Sequence, residues 1–322
     1  MKKHLIAAAV AGAFVAPAFA QNVTVYGTLD VSIQQVDVST AGSSVTKQNG
    51  DDPMGTSVIG LKGSEDLGGG MKASFDLQGA LNADDGTGTG TSSSFVFQRQ
   101  SWLAVSGSFG QVKLGRTGTL VDQNYGTAAG GFNYFLPSSS ARPGSGKLAG
   151  ITEYTSPELV KGVTVQLQNI NASTTTAANS GNGYAVLYAA GPWNAGYAVT
   201  NINGSSATDI ENSVMRVSYN AGFATLTVSR LSNKEVNPST TDTSSTDFGA
   251  VVPLGNGLTA VLNYQSFKDD KSTTTDFTQY GAALRKDLSK RTSVYVAAKS
   301  QNIDGAASTD TDSFAIGIQH SF

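Results

Sequence analysis

The sequence contains no cysteine and only two histidines, His4 and His320. Without cysteine the chain forms no disulfide bonds, so its stability has to come from its size or from closure of a sheet. With His4 in the predicted signal segment, one histidine and no cysteine remain, which makes a zinc site or a histidine-based catalytic triad not credible. We therefore predict no metal, no cofactor and no catalytic residues.

Long hydrophobic runs are also missing. After the first twenty residues no window of about 18 apolar residues occurs, which excludes a transmembrane helix there. The apolar run 5–14 is too short to span a bilayer, follows a basic start and precedes the small-x-small site 18–20. This order is typical of a secretory signal peptide. We expect residues 1–20 to be cleaved and residues 21–322 to form a single domain.

An excess of basic residues is absent as well. Removal of Lys2 and Lys3 with the signal leaves 21 − 2 = 19 basic residues against 24 acidic ones, a net charge of −5. This mild acidity argues against nucleic acid as a partner. The mean hydropathy of −0.13 fits a soluble protein, but also a transmembrane barrel, whose polar inner face lowers the average.

What the sequence does contain is an alternation of apolar and polar residues with a period of two. It runs clearly through residues 23–34, 259–265, 279–285 and 313–322. A period of two indicates β-strands with one apolar and one polar face. The alternation extends from one end of the chain to the other, which indicates one domain.

The segments between these strands fall into two classes that take turns along the chain. Short, tight connections are predicted at 65–70, 106–110, 191–194, 220–222, 253–257 and 287–291. Longer connections rich in Ser, Thr, Asn, Asp and Gly are predicted at about 37–53, 82–94, 118–148, 172–182, 204–209, 234–244, 269–274 and 303–310. Short turns at one end and long loops at the other are typical of a transmembrane β-barrel.

Eight long loops predict sixteen strands, with about ten residues in each strand, the length of a tilted membrane-spanning strand. A secreted β-sandwich or β-helix also alternates, but its connections need not sort into short and long in turn. A barrel in lipid has to pair its last strand with its first, because an open edge would leave backbone groups unsatisfied. We therefore predict an all-β fold, a 16-stranded antiparallel transmembrane barrel.

Several motifs stand in a fixed order along the chain. They are Val23-Thr24-Val25-Tyr26-Gly27, the hairpin 57–73 with its Gly-x-Lys-Gly-x-Glu-Asp-Leu-Gly core, the segments 95–100, 107–116 and 154–162, and the ending Gly317-Ile318-Gln319-His320-Ser321-Phe322. Together these motifs resemble the general porins of beta-proteobacteria. The resemblance implies a homotrimer of sixteen-stranded barrels in the outer membrane of a Gram-negative bacterium. It also implies that assembly machinery reads the ending with His320 and Phe322, and that the third long loop narrows each pore.

The segment from 118 to 148 is the longest connection and the candidate for this third loop. It contains four aromatic residues, Tyr125, Phe132, Tyr134 and Phe135. Sixteen strands enclose a lumen too wide for side chains alone to fill, so a folded-in segment is needed to narrow it. The aromatic residues are predicted to pack the segment against the inner wall. The alternative is that they cover the rim or contact a neighbouring subunit.

The charge near this segment differs in sign from that of the whole chain. Between Phe95 and Thr155 there are five basic and two acidic residues, a balance of +3. Fixed positive charge in a narrow passage raises the local concentration of anions. We predict mild anion preference, with a constriction formed by Arg99, Arg116, Lys147, Arg142, Lys113 and Asp122. The resemblance implies lumen-facing positions for Arg99 and Arg116 and places Lys147 near another basic position.

Two details limit this prediction. Anion-selective relatives often have Ser-Arg before the Gly-x-Lys-Gly motif, whereas this chain has Ser57-Val58, so one wall charge is missing. Strict alternation from Val112 and Leu114 would also turn Arg116 toward lipid, at a cost of roughly 2–4 kcal/mol in mid-membrane. Gly115 permits a β-bulge that would turn Arg116 inward.

Three classes of function remain open at this stage. The first is a passive channel for ions and small hydrophilic solutes, with outer-membrane lipid and lipopolysaccharide around it. The second is an adhesin or structural barrel whose long loops bind other surfaces. The third is an outer-membrane hydrolase, which would need a positioned Ser-His pair that His320 is poorly placed to provide.

Overall fold

The computed structural model describes residues 23–39, 43–49, 53–88, 97–125, 132, 146–171, 180–203, 209–235, 242–271, 276–304 and 310–322. Nearly all of them lie in β-strands. No helix in these ranges is long and apolar enough to cross a membrane. Tyr134, Phe135 and Arg142, which the sequence placed in the candidate third loop, fall outside the described residues.

Seventeen strands and one short helix follow one another along the described chain. The first nine strands are β1 Thr24–Val38, β2 Ser43–Asn49, β3 Val58–Gly68, β4 Met71–Ala80, β5 Gln100–Gly107, β6 Gly110–Gly118, β7 Lys147–Thr155, β8 Val163–Ile170 and β9 Ser180–Ala190. The others are β10 Trp193–Asn203, β11 Asp209–Asn220, β12 Thr225–Glu235, β13 Asp242–Gly255, β14 Leu258–Asp269, β15 Phe277–Asp287, β16 Thr292–Ile303 and β17 Thr311–Ser321. Helix α1, Leu120–Asn124, follows β6.

The strands form one antiparallel sheet that closes on itself, because β17 pairs with β1 from Thr28↔Ser321 to Val38↔Thr311. β2 and β3 share the other edge of β1: β3 pairs with its first half and β2 with its second half. β2 is therefore a hairpin extension inside the predicted first loop. Sixteen strand positions surround the barrel, which confirms the predicted closed 16-stranded fold.

The two ends of the barrel differ in the length of their connections. At one end, two-residue turns join neighbouring strands at 69–70, 108–109, 191–192 and 256–257. The other end carries the long connections, including 119–146 between β6 and β7. The short connections follow the sequence prediction, except that the segment 156–162 between β7 and β8 is longer than the other turns.

Alternation along each strand separates an outer from an inner face. Large apolar side chains such as Leu262, Leu284, Ile316 and Ile318 are exposed on the outer face. Their neighbours in the strands, including Gln265 and Gln279, are buried on the inner face. An apolar outside and a polar inside are the opposite of a water-soluble protein and are what a membrane-embedded barrel requires.

The last residue closes the seam between β1 and β17. The backbone of Phe322 exchanges two hydrogen bonds of 3.1 and 3.0 Å with Gly27. Its ring lies over Gly27, where a Cβ atom would be 2.3 Å from the Cζ atom of Phe322. Glycine is therefore required at position 27 so that the aromatic C-terminus can lie against the first strand.

Candidate functional site: the inner wall of the barrel

Helix α1 packs on the inner face of the barrel. Thr119 caps its first turn, since its hydroxyl accepts a hydrogen bond from the amide of Asp122 at 3.2 Å. Leu120 and Val121 are fully buried and pack against inward-facing apolar residues of β9 to β12: Ala185, Ala198, Val214 and Leu231. This apolar patch of the inner wall contacts the buried residues of the helix.

Two aromatic residues of the same segment contact the wall further along. The Tyr125 hydroxyl donates to Oδ2 of Asp247 on β13 at 3.5 Å. Phe132 is fully buried and packs among Met54 and inward-facing residues of β14 to β17. Its ring meets Tyr295 edge-on, with centroids 5.8 Å apart and an angle of 86°. The described parts of the segment thus contact the inner wall over about half of its circumference, from β9 to β17.

Phe132 rests on a part of the first long loop that Asp30 ties to the wall. Asp30 is fully buried, and its carboxylate accepts hydrogen bonds from the amides of Met54 and Gly55, both at 2.8 Å. The Tyr295 hydroxyl donates to the same carboxylate at 2.6 Å. Sequence reasoning missed Asp30, although its inward position follows from the alternation in β1.

Glu153 on β7 connects the base of α1 to the wall. Its side chain is only 1% exposed, and its carboxylate forms an ion pair with the Lys113 ammonium at 2.8 Å. It also accepts hydrogen bonds from Gln123 at 2.7 Å and Gln168 at 3.0 Å. Lys147 forms a second ion pair with Asp122 of α1 at 2.9 Å. Three predicted constriction residues, Lys113, Lys147 and Asp122, therefore lie in ion pairs that hold the segment in place.

We expect Glu153→Gln to lower the free energy of unfolding by about 3 kcal/mol, because it leaves the Lys113 charge without its counter-ion in a largely buried position. Denaturant unfolding of the detergent-solubilised barrel measures this. Glu65→Gln, at an exposed position near the end of β3, is the matched control. Equal losses of stability in both variants would contradict the role assigned to Glu153.

A second group of basic residues lies on β3 and at the start of β5. The Lys62 ammonium on β3 lies 4.7 Å from the centre of the Tyr26 ring. Tyr26 donates to Asp76 at 2.6 Å and accepts from Gln78 at 3.0 Å. Gln78 in turn accepts from Nε of Arg99 at 3.1 Å. Lys62 is a basic wall residue that the sequence prediction left out, although the period of two places it on the polar face.

Arg116 lies beside this group. Its Nε donates to the carbonyl of Gln98, next to Arg99. The β6–β7 register shifts between Gly115 and Thr117, and Gly115 has a φ of 139° that favours glycine. The irregularity lies beside Gly115, but the additional residue is on β7 and not on β6. The register between β5 and β6 is unbroken and pairs Arg116 with Ser101, two residues from the outward pair Leu103–Leu114, so the structure does not show the bulge on β6 that was predicted to turn Arg116 inward.

Val58, the position where a wall charge is missing, lies on the inner side of β3. Cross-strand pairing places it opposite Thr28 and Ala80, and its side chain is only 9% exposed. It precedes Lys62 by four residues and therefore shares its face. The uncharged position noted in the sequence therefore lies on the inner surface.

Comparisons with known proteins identify what the chain is similar to. A sequence profile described as Gram-negative porin matches residues 7–306. The outer membrane porin protein 32 of Delftia acidovorans is 31% identical over 92% of this chain and 88% of its own length. The major outer membrane protein P.IB of Neisseria meningitidis is 28% identical over the full length of both chains. The solved structure of an anion-selective porin from Comamonas acidovorans superimposes with a TM-score of 0.82 and 25% identity, covering 94% of this chain and all of that one.

Proposed function

The chain belongs to the Gram-negative porin family of the outer membrane and forms a passive channel, and we propose that its pore is narrowed by the segment 118–148 and prefers small anions. The contacts of Leu120, Val121, Tyr125 and Phe132 with the inner wall support the first part. A segment attached inside the lumen reduces the cross-section open to water, so it limits the size of the solute. The relatives are named as porins, which favours a channel over a hydrolase or an adhesin.

The anion preference rests on the basic residues of β3 to β6. Lys113 and Lys147 are neutralised by Glu153 and Asp122, so the field is assigned to Arg99, Arg116 and Lys62. The similarity to a solved porin described as anion-selective supports the sign. Val58 leaves one inner position uncharged, which makes the expected preference mild. The reversal potential in a KCl gradient across a planar bilayer tests this, and a cation preference would refute it.

Phe132→Ala is expected to release the middle of the segment from its seat. Loss of a fully buried phenylalanine removes roughly 3–5 kcal/mol of packing, here from the cluster that includes Met54 and Tyr295. We expect a larger mean single-channel conductance and more current noise in the open state. Phe223→Ala, at a residue 72% exposed in a turn, is the control. Wild-type conductance and noise in Phe132→Ala would show that the seat does not set the pore width.

The outer surface supports assembly of three copies. Tyr and Trp mark the boundary of lipid on membrane barrels. On the outer face they occur from β7 to β15, as at Tyr184, Trp193, Tyr219 and Tyr280, whereas the described outward residues of β16, β17 and β1 to β5 include neither type. We assign this second face, which lacks Tyr and Trp, to subunit contact. Cross-linking in detergent should give trimers, and a monomer would exclude the assignment.

We also propose that the protein is exported from the cytoplasm. Residues 1–20 are assigned to a signal peptide, which leaves Gln21 as the first residue of the mature protein. N-terminal sequencing of protein isolated from outer membranes tests the cleavage site, and an intact Met1 would contradict it.

A further inference from the structure

A groove runs over the outer face of β11 to β14, on the side that we assign to lipid. Its volume is about 610 Å³. The register gives it two stacked rows of apolar side chains. The lower row is Tyr219, Leu226, Ala250 and Leu262, and the upper row is Val217, Val228, Phe248 and Tyr264. The small side chain of Ala250, flanked by two leucines, provides the floor.

The next outward row is mostly polar, in contrast to the two apolar rows of the groove. It contains Met215, Arg230, Thr246 and Ser266, again in direct cross-strand register. Arg230 is exposed and donates from Nη1 to the Thr246 hydroxyl at 2.7 Å. A guanidinium has five donors, so one bond to a hydroxyl leaves capacity for an external acceptor. Arg230 thus stands at the top of the groove, on the side of the long connections.

An arginine on the lipid face costs up to roughly 2–4 kcal/mol at the bilayer midplane and close to nothing at the interface. The aromatic side chains of Phe248 and Tyr264 directly below Arg230 indicate that it lies at the interface. Above it, Lys234 lies between Glu211 and Asp242 in one outward row, and Lys268 lies opposite Ser244 in the row below that one, so the two basic residues there are matched by two acidic ones. The positive charge nearest to the groove is therefore Arg230 alone.

We propose that this surface binds one phosphorylated lipid of the outer leaflet, with an acyl chain in the groove and a phosphate on Arg230 and Thr246. Planar guanidinium groups suit phosphate because two N–H donors can bind two of its oxygens. The groove is apolar over its whole length, which suits a hydrocarbon chain. The leaflet follows from the orientation of the proposed channel, whose long loops lie outside the cell.

Native mass spectrometry of delipidated, refolded protein tests the site with a bis-phosphorylated, hexa-acylated lipid A as the probe. We expect one tightly bound lipid per chain in the wild type. Arg230→Gln, which removes the charge, and Ala250→Phe, which fills the groove, should each weaken binding at least tenfold. The same lipid without its phosphates should bind the wild type as weakly as lipid A binds Arg230→Gln.

Matched controls are available on the same barrel. Arg291→Gln removes a charge from an exposed turn at the opposite end, and Leu167→Phe places a ring at an exposed outward position on β8, away from the groove. Both should bind lipid A like the wild type. Equal binding in Arg230→Gln and the wild type would overturn the proposal. So would tight binding of the dephosphorylated lipid, or phosphatidylethanolamine binding with the same affinity as lipid A.

Folding and channel function are followed separately. The heat-dependent shift in gel mobility shows whether each variant has formed a barrel. Since Arg230 and Ala250 face away from the lumen, conductance and ion preference should stay at wild-type values in both variants. Loss of lipid binding with normal conductance therefore supports the site, and a failure of the proposed anion preference would leave the lipid result unaffected.

Discussion

Gly27→Ala is expected to cut the yield of folded barrel strongly and to destabilise what folds by roughly 1–3 kcal/mol or more. The added Cβ would lie 2.3 Å from the Phe322 ring and 2.7 Å from the carbonyl oxygen of Val58. To relieve this contact, either the ring or the β1–β3 pairing has to move. The ring is part of the seam that closes the barrel, so movement there weakens the pairing of β17 with β1.

Refolding from urea into detergent measures this effect without the assembly machinery of the cell. The folded fraction is read from gel mobility and the stability from thermal unfolding. Gly146→Ala is the matched control, since no heavy atom lies within 4 Å of the position of its new Cβ. If both variants refold and melt like the wild type, the close contact between Gly27 and Phe322 does not limit closure of the barrel.

The double substitution Arg99→Glu and Arg116→Glu is expected to reverse the ion preference from anions to cations. Each change alters the charge by −2, so the balance between Phe95 and Thr155 falls from +3 to 3 − 4 = −1. The Arg116 side chain donates to the backbone carbonyl of Gln98, the residue before Arg99, so both arginines belong to the region at the start of β5. The reversal potential in a KCl gradient near 0.1 M, where the Debye length is about 10 Å, measures the change.

The same measurement at 1 M, where the Debye length is about 3 Å, should show a smaller difference. Lys290→Glu with Arg291→Glu makes the same total charge change in an exposed turn and should leave the reversal potential unaltered. Val58→Arg should shift the preference the other way, since its position faces inward on the same strand as Lys62. Unchanged selectivity in the Arg99 and Arg116 double variant would remove these residues from the constriction.

Much of the fold was predictable from local patterns. The period of two indicates which face of each strand is apolar, and the alternation of short and long connections indicates how many strands cross the membrane. β2 was not predicted, because residues 43–49 lie in a polar stretch whose pairing depends on how far β1 continues beyond the membrane. The seven-residue connection 156–162 was similarly decided by packing at the end of β7 and β8.

The candidate site was harder to predict, because the effect of a charged residue depends on its partner on another strand. Lys113 and Glu153 are 40 residues apart in sequence and 2.8 Å apart in space. The charge balance between Phe95 and Thr155 includes both residues, but the sequence does not show that they form an ion pair. Lys62 was not predicted, because it lies outside the segment 95–155 whose charge was summed, although it is on the same wall as Arg99.

By itself, then, the sequence determined that this protein is a closed membrane barrel with a polar lumen. The alternation of apolar and polar residues and the length of the chain are read directly from the sequence, and no contact between distant residues changes them. Tertiary structure decided which charges remain to act on a solute. Ion pairs with Glu153 and Asp122 neutralise Lys113 and Lys147. Hydrogen bonds from the amides of Met54 and Gly55 to Asp30 hold the loop in which Met54 packs against Phe132. The physical reason is that Coulomb and packing energies depend on distances between residues from different strands, which only closure of the barrel establishes.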